Sequence, residues 1–225
     1  MKFVHCADIH LGGWRQPELD ALNTEHFRKV IDTTIKEKAE FLLIAGDLFD
    51  SPYPSIDTLK VAFKELRKLA ELRIPVFIIP GSHDYSVSGR TFLDVLEKAG
   101  FCTNVAKYEQ KNDSIILQST LYKNIALYGY PGKKSGLEVE EIKKIKIEDA
   151  PGFFKILMLH TTLRSAVHNP MIKAVDDSML PNVQYMALGH LHIQYSKNGK
   201  VYAGPTFPNN VLELEELKGG SFYIF

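Results

Sequence analysis

Five short stretches carry side chains that could hold metal ions, and each follows an apolar run. "HCADIH" supplies Asp8 and His10, "LLIAGDLFD" supplies Asp47 and Asp50, and "FIIPGSHD" supplies Ser82, His83 and Asp84. "ILMLH" ends in His160, and "YMALGHLH" ends in His190 and His192, which project the same way from an extended segment. Carboxylate oxygens mixed with imidazole nitrogens suit Mn, Fe or Zn, whereas an all-oxygen set would suit Mg or Ca. Two adjacent ions sharing one aspartate could clamp a phosphate, activate a water and stabilise a leaving oxygen. Asp47 is the natural bridge, because Gly46 lets the backbone approach closely before it. Taken singly, an Asp-x-His or a "GDLFD" turn is a weak signal. The combination is stronger, since five of the eight histidines sit at or just beyond apparent strand ends.

Such a constellation needs a sheet to present it. The first hundred residues alternate strand and amphipathic helix: strand 2–7, helix 19–38, strand 41–45, helix 55–71, strand 76–79 and helix 91–98. This alternation implies βαβ units and a parallel sheet, whose strands' carboxyl ends form the ligand site. Beyond residue 100 the spacing predicts neighbouring strands at 114–118 and 124–128, separated by "STLYK". A charged helical segment at 137–147 follows, then strands at 155–159, 185–188, 194–196, 201–203 and 221–225. "SKNGKVY" carries an Asn-Gly hairpin signal. The expected fold class is α/β, a mixed core of two sheets flanked by helices, with no internal domain boundary or repeat.

Composition narrows the function classes. Hydrophobic residues make up 45% and charged residues 24% of the 225, ordinary values for a globular protein. No run approaches the ~20 apolar residues of a transmembrane helix, and the first ten residues lack the pattern of a signal peptide. Cys6 and Cys102 form neither a disulfide framework nor a thiolate metal site, so the cytoplasm is the expected compartment. Lysine plus arginine equals aspartate plus glutamate at 27 each, which weighs against tight unaided binding to nucleic acid.

The ordered set Asp-x-His, Gly-Asp-x-x-Asp, Gly-x-His-Asp, a later His and Gly-His-x-His resembles the calcineurin-like metallophosphoesterases across essentially the whole chain. The resemblance implies a four-layer α/β/β/α sandwich. It implies two metal ions, Mn²⁺ with Fe or Zn as alternatives. One would be held by Asp8, His10, Asp47 and His192, the other by Asp47, Ser82, His160 and His190. His83 would protonate the leaving oxygen, oriented by Asp84 or Asp50. The stretches "FVHCADIHLGG", "AGDLFDSPYPSIDTL", "IPVFIIPGSHD", "YMALGHLH", "VYAGPT" and "GSFYIF" are most similar to the DNA double-strand-break repair nucleases of the SbcD type, the meiotic-recombination-eleven family. That likeness implies DNA as substrate and a coiled-coil ABC-type ATPase of the SbcC kind as partner. It also implies that 1–225 form the nuclease domain, with the family's capping domain and partner-binding helices absent from this chain. One departure stands out, because the family's asparagine ligand is Ser82 here.

Outside this set, Trp14 and Arg15 in "LGGWRQPE", and Arg90 in "SVSGRTF", are candidate DNA contacts. The alternatives are a tryptophan that packs its loop and a solvated arginine. Lys133, Lys134, Lys143, Lys144 and Lys146 alternate with Glu138, Glu140 and Glu141, the pattern of a solvated mixed-charge surface. The helices around 55–71 and 91–99 offer surplus apolar residues that suit a homodimer seam or simple cover for the sheet. His5, His26 and His168 belong to no motif.

Overall fold

A computed structural model describes residues 1–86 and 89–225. In the first half, β1 (Val4–Cys6), α1 (Pro17–Lys36), β2 (Leu42–Ala45), α2 (Ile56–Glu71), β3 (Val76–Ile79), α3 (Leu93–Lys98) and β4 (Thr103–Asn104) follow one another. The strands β1 to β4 pair in parallel in that order. Helix α1 starts two residues earlier than the periodicity suggests, because Pro17 sits at its first turn, where a missing N–H costs nothing. Ser55 caps α2, its hydroxyl accepting from the Thr58 amide at 3.1 Å.

The second half supplies β5 (Tyr108–Lys111), β6 (Ser114–Leu117), β7 (Thr120–Tyr122), β8 (Ile125–Tyr130), α4 (Glu138–Ile142), β9 (Ile145–Ile147) and β10 (Phe154–His160). It continues with β11 (Tyr185–Gly189), β12 (Tyr195–Lys197), β13 (Lys200–Tyr202), α5 (Val211–Leu217) and β14 (Tyr223–Ile224). A six-stranded sheet runs β12-β13-β11-β10-β8-β7, and β14 returns to lie antiparallel beside β1 as the edge of the first sheet. The Asn-Gly turn forms as expected between β12 and β13, with Asn198 and Gly199 both at positive φ.

Strand alternation sorts the side chains into three apolar layers. Between the sheets lie Phe3, Leu43, Phe77 and Ile79 from one side and Leu127, Ile156, Met158 and Ala187 from the other. Behind the first sheet, Phe27, Ile31, Leu66 and Leu96 of α1, α2 and α3 pack on Val4, Ile44 and Ile78. Behind the second, Tyr128, Leu157 and Leu188 meet Val139 and Ile142 of α4 together with Ile115, Leu117 and Ile145. Two mixed sheets face to face, covered on both outer sides, make the expected sandwich, which is the metallophosphoesterase fold.

Three local expectations need correction. The segment 137–147 is not one helix: α4 stops at Ile142, and Ile145–Ile147 pairs in parallel with β6. The alternation Ile-Lys-Ile is a strand period, and pairing with β6 buries Ile145 opposite Ile115. The strands at 114–118 and 124–128 are not neighbours either. Strand β6 joins β5 and β9 in a small third sheet, while β8 pairs with β7, formed from "TLY", and with β10. The fourth layer is therefore α4 plus this small sheet. The apolar surplus on α2 and α3 also shrinks. Val61 and Phe92 pack on the core and Leu93 and Leu96 lie within it, leaving Tyr53 (68% exposed), Ile56 (73%) and Val95 (48%) uncovered.

Candidate metal centre

The ends of β1, β2, β3, β10 and β11 converge at one edge of the sandwich. The loops after β1 and β2 run side by side, with Asp8 N–H donating to Gly46 O at 3.1 Å and His10 N–H to Asp47 O at 3.0 Å. Asp8, His10 and Asp47 adopt left-handed φ of 52°, 48° and 52°, and His190 stands at 91°. Such conformations are costly for non-glycine residues and concentrate at functional sites. Here they turn side chains that would point along the strands inward to a common point. Gly46 has to be glycine, since a Cβ there would lie 2.2 Å from His160 Nδ1.

Hydrogen bonds fix the tautomer of three histidines. His10 Nδ1 faces Asp50 Oδ1 at 3.2 Å, His192 Nδ1 faces Glu213 Oε1 at 2.9 Å, and His160 Nδ1 faces the Ala45 carbonyl at 2.9 Å. Each partner is an acceptor, so each Nδ1 carries the hydrogen and each Nε2 presents a lone pair. Those lone pairs meet each other and the carboxylates. His10 Nε2 and His192 Nε2 are 3.3 Å apart, and His160 Nε2, buried without a hydrogen-bond partner, lies 3.1 Å from Asp47 Oδ2. Acceptors facing acceptors in a buried space repel unless a proton or a metal ion lies between them, and without a metal Asp47 holds that proton on His160. The residues therefore fit a metal centre. Among the described residues, Asp8 with His10 and His192, Asp8 with Asp47 and His160, and His10 with Asp50 and His83 form three compact donor groups with facing atoms within 4.8 Å.

Charge in the cluster is arranged accordingly. Burial raises the Asp8 carboxyl above its ordinary value. Burial acts on Asp47 in the same sense, but His160 and His10 outweigh it and hold this carboxyl well below the usual range. At His160 burial works to lower the imidazole, yet Asp47 prevails and raises it to about 10. His5 is just as buried and meets only the Tyr185 hydroxyl at 3.0 Å, and there burial lowers the imidazole to about 3. The carboxylates, not the burial, set the difference.

Of the remaining candidates, Ser82 lies beside Asp47, its hydroxyl donating to Oδ2 at 3.4 Å, and His83 N–H donates to Asp47 Oδ1 at 2.8 Å. His190 anchors the site through its backbone, its N–H meeting Asp8 Oδ1 at 2.9 Å, while its side chain lines the open pocket. His83 Nδ1 donates to the backbone carbonyl of Asp50 at 2.8 Å, which leaves Nε2 as the ring's free nitrogen. The expected orienting role of Asp84 needs correction. Its carboxylate is buried and accepts from the amides of Leu48 (3.3 Å), Phe49 (3.0 Å) and Gly81 (2.9 Å), tying the loop after β2 to the loop after β3. Burial, aided by Asp47, pushes this carboxyl up to about 6. Asp84 thus braces the two loops, and Asp50 is the residue in contact with His83.

Trp14 is only 9% exposed, its indole N–H donating to Pro208 O at 2.9 Å and its ring edge-on to Phe207, so it packs its loop. Arg15 and Arg90 are exposed, and Arg90 lines a separate cleft with Tyr53, Phe92 and Val95. Two contributors carry no motif. Glu213 in α5 fixes His192, and Asn209 donates to Asp50 Oδ1 at 3.4 Å while its backbone N–H holds Glu213 Oε2 at 2.8 Å. The one available signal was the helix start, Asn210 followed three residues later by Glu213. Over the centre opens a pocket of about 450 Å³, walled by Asp50, Pro52, His83, Lys133, Lys134 and His190.

This donor geometry on this fold belongs to the calcineurin-like phosphoesterases. The family pattern matches residues 1–194, and the chain is a member of that family, a metallophosphoesterase. Among curated proteins it is similar to the DNA double-strand break repair protein Mre11 of Methanococcus maripaludis. The two are 31% identical over 100% of this chain and 62% of that protein. It is also similar to the Mre11 of Archaeoglobus fulgidus, at 28% identity over 91% of this chain and 49% of the relative. The uncharacterized metallophosphoesterase YhaO of Bacillus subtilis is 27% identical over 95% of this chain and 55% of its own length. The chain thus spans about half to three-fifths of these relatives. A dimetal phosphatase from Danio rerio shares the fold, with TM-score 0.55 and 10% identity over 100% of this chain and 91% of that one. Among the described residues, no helix is long and apolar enough to cross a membrane.

Proposed function

We propose that this chain is the catalytic core of a manganese-dependent DNA nuclease of double-strand-break repair, a 3′–5′ exonuclease and single-strand endonuclease. One observation carries the hydrolytic part: three imidazole Nε2 lone pairs and two buried aspartates converge beneath an open pocket whose rim holds His83. Bound there, two metal ions would supply an activated water and neutralise the phosphoryl oxygens. His10 and His192 would hold the first ion with Asp8, and His160 and His190 the second, with Asp47 between them and Ser82 beside it. The mixed nitrogen and oxygen donors favour Mn²⁺, with Fe or Zn as alternatives. His83, free at Nε2 and fixed at Nδ1 by the Asp50 carbonyl, gives its proton to the leaving oxygen.

The DNA part rests on the Mre11 relatives. With it come a coiled-coil ABC-type ATPase of the SbcC kind as partner, a homodimer through α2 and α3 around Tyr53, Ile56 and Val95, and a cytoplasmic setting. A second reading, a phosphodiesterase for nucleotides or small phosphoesters, is favoured by the balanced charge of 27 basic and 27 acidic side chains. A third, a silent scaffold for DNA or the ATPase, is disfavoured by the retention of Asp8, His10, Asp47, His83, His160, His190 and His192. Mn²⁺-dependent cleavage of single- and double-stranded DNA with defined ends, compared with bis-p-nitrophenyl phosphate, tests all three. Turnover of the small diester alone would select the second reading, and turnover of neither would select the third.

A further inference from the structure

Two adjacent lysines on the pocket wall have opposite circumstances. Lys133 is fully engaged. Its ammonium sits 2.7 and 2.6 Å from the two carboxylate oxygens of Glu141 and over the Tyr130 ring, whose hydroxyl donates to the same carboxylate at 2.7 Å. Lys134 is exposed and, among the described residues, has no carboxylate partner. Its neighbours on the chain differ in the same way: Lys143 pairs with Glu140 and Lys144 with Asp113.

The backbone that carries Lys134 is pressed against the metal ligands. Gly132 N–H donates to Pro80 O at 3.0 Å, and a Cβ at Gly132 would lie 2.5 Å from His160 Cδ2 and 3.0 Å from Ser82 N. The segment therefore leaves the site in close contact with His160 and Ser82. Lys133, clamped by Glu141, fixes the next step, and Lys134 follows on a single turn facing the same space as His83 and His190. A free ammonium held beside a dimetal phosphoester site matches one kind of ligand, an anion additional to the one the metals hold.

Resting on the hydrolytic nuclease reading above, we propose that Lys134 binds a second phosphate of the substrate, next to the one hydrolysed. The contact favours a diester embedded in a strand of successive phosphodiesters over an isolated small diester. Lys133 is the brace that sets the reach of Lys134, and Lys134 is the specificity contact.

The test is the binding of a fluorescein-labelled thymidine dodecamer to the Mn²⁺-loaded protein, followed by anisotropy over a series of salt concentrations. Lys134→Gln should weaken binding roughly tenfold and flatten the slope of log affinity against log salt by about 0.7, the share of one single-strand phosphate contact. Lys134→Arg should keep the slope. For bis-p-nitrophenyl phosphate, which has no second phosphate, Lys134→Gln should raise KM less than about threefold. An unchanged slope in Lys134→Gln, or a wild type that binds no dodecamer, would overturn the assignment. So would an equal loss on both substrates, which would place Lys134 on the scissile phosphate. Failure of the hydrolytic reading looks different: the wild type would then turn over neither the small diester nor DNA with Mn²⁺, whatever the dodecamer's binding does.

Discussion

The two halves of the candidate metal centre bring together similar donors with different support. On the side of Asp8, His10 and His192, both imidazoles are backed by carboxylates, Asp50 at 3.2 Å and Glu213 at 2.9 Å. On the side of Asp47, His160 is backed by a neutral carbonyl, His190 is tied by its backbone, and Ser82 offers a hydroxyl already directed at Asp47. A carboxylate behind an imidazole raises its basicity and locks its orientation, and removing such support typically costs ~10–100-fold in metal affinity. The first half should therefore hold its ion more tightly. The second half, which lines the open pocket through Ser82 and His190, is the more adjustable one.

The largest effect tests whether His83 belongs to either half. Although His83 also forms a donor group with His10 and Asp50, its Nδ1 lies on the Asp50 carbonyl, and we assign it to the leaving group rather than to an ion. His83→Ala should lower kcat by ~10²–10⁴-fold while calorimetric Mn²⁺ titration keeps both binding phases. Disappearance of a phase would make His83 a ligand, and the division into two halves would have to be redrawn.

That division was only half legible in the sequence. The candidate donors announce themselves because apolar runs such as Leu42–Ala45 and Tyr185–Gly189 are followed within two residues by Asp or His, a pattern with few structural explanations. Their support does not. Glu213 reaches His192 because α5 lies over the site, and α5 buries none of its own residues. Its sequence is thus governed by capping and by one long-range hydrogen bond, which no local period encodes. Asp84 misled for the opposite reason. It sits beside His83 in the chain, but successive residues after a strand point apart, and its carboxylate turns into the backbone of the neighbouring loop. In the fold, the long buried strands were readable. The exposed Tyr108–Lys111 and the partly covered β7 and β9 were not, because strands without a buried run take their identity from their partners.

A smaller effect should come from neutralising one carboxylate support. Glu213→Gln keeps one carbonyl oxygen, enough for His192 Nδ1–H, but puts an amide NH2 where Oε2 accepted the Asn209 N–H, so the charge is lost together with one hydrogen bond at the start of α5. The tighter Mn²⁺ phase should weaken by about tenfold or more, with the weaker phase unchanged. Weakening of both phases alike would mean that the two ions share one field and that local support does not distinguish them.

The smallest change runs the other way and addresses Ser82. Where the family pattern has asparagine, this chain has a hydroxyl on a short stem, 3.4 Å from Asp47 Oδ2 and part-buried at the pocket floor. An asparagine carbonyl is a better oxygen donor and reaches further, and the side chain at this position opens on the pocket, so the larger residue can extend without entering the core. Ser82→Asn should therefore raise the affinity of the weaker Mn²⁺ phase by about tenfold and bring the two halves closer together. Its effect should be confined to that phase, because Asp8, His10 and His192 are held by groups that position 82 does not touch. Calorimetric titration of wild type, Ser82→Asn and the Ser82→Asn/Glu213→Gln double variant separates the terms. If the halves are independent, the double variant shows each phase shifted as in its own single variant. If Ser82→Asn instead leaves two equally tight phases unchanged from the wild type, the serine is a spectator and the asymmetry between the halves does not come from their ligands.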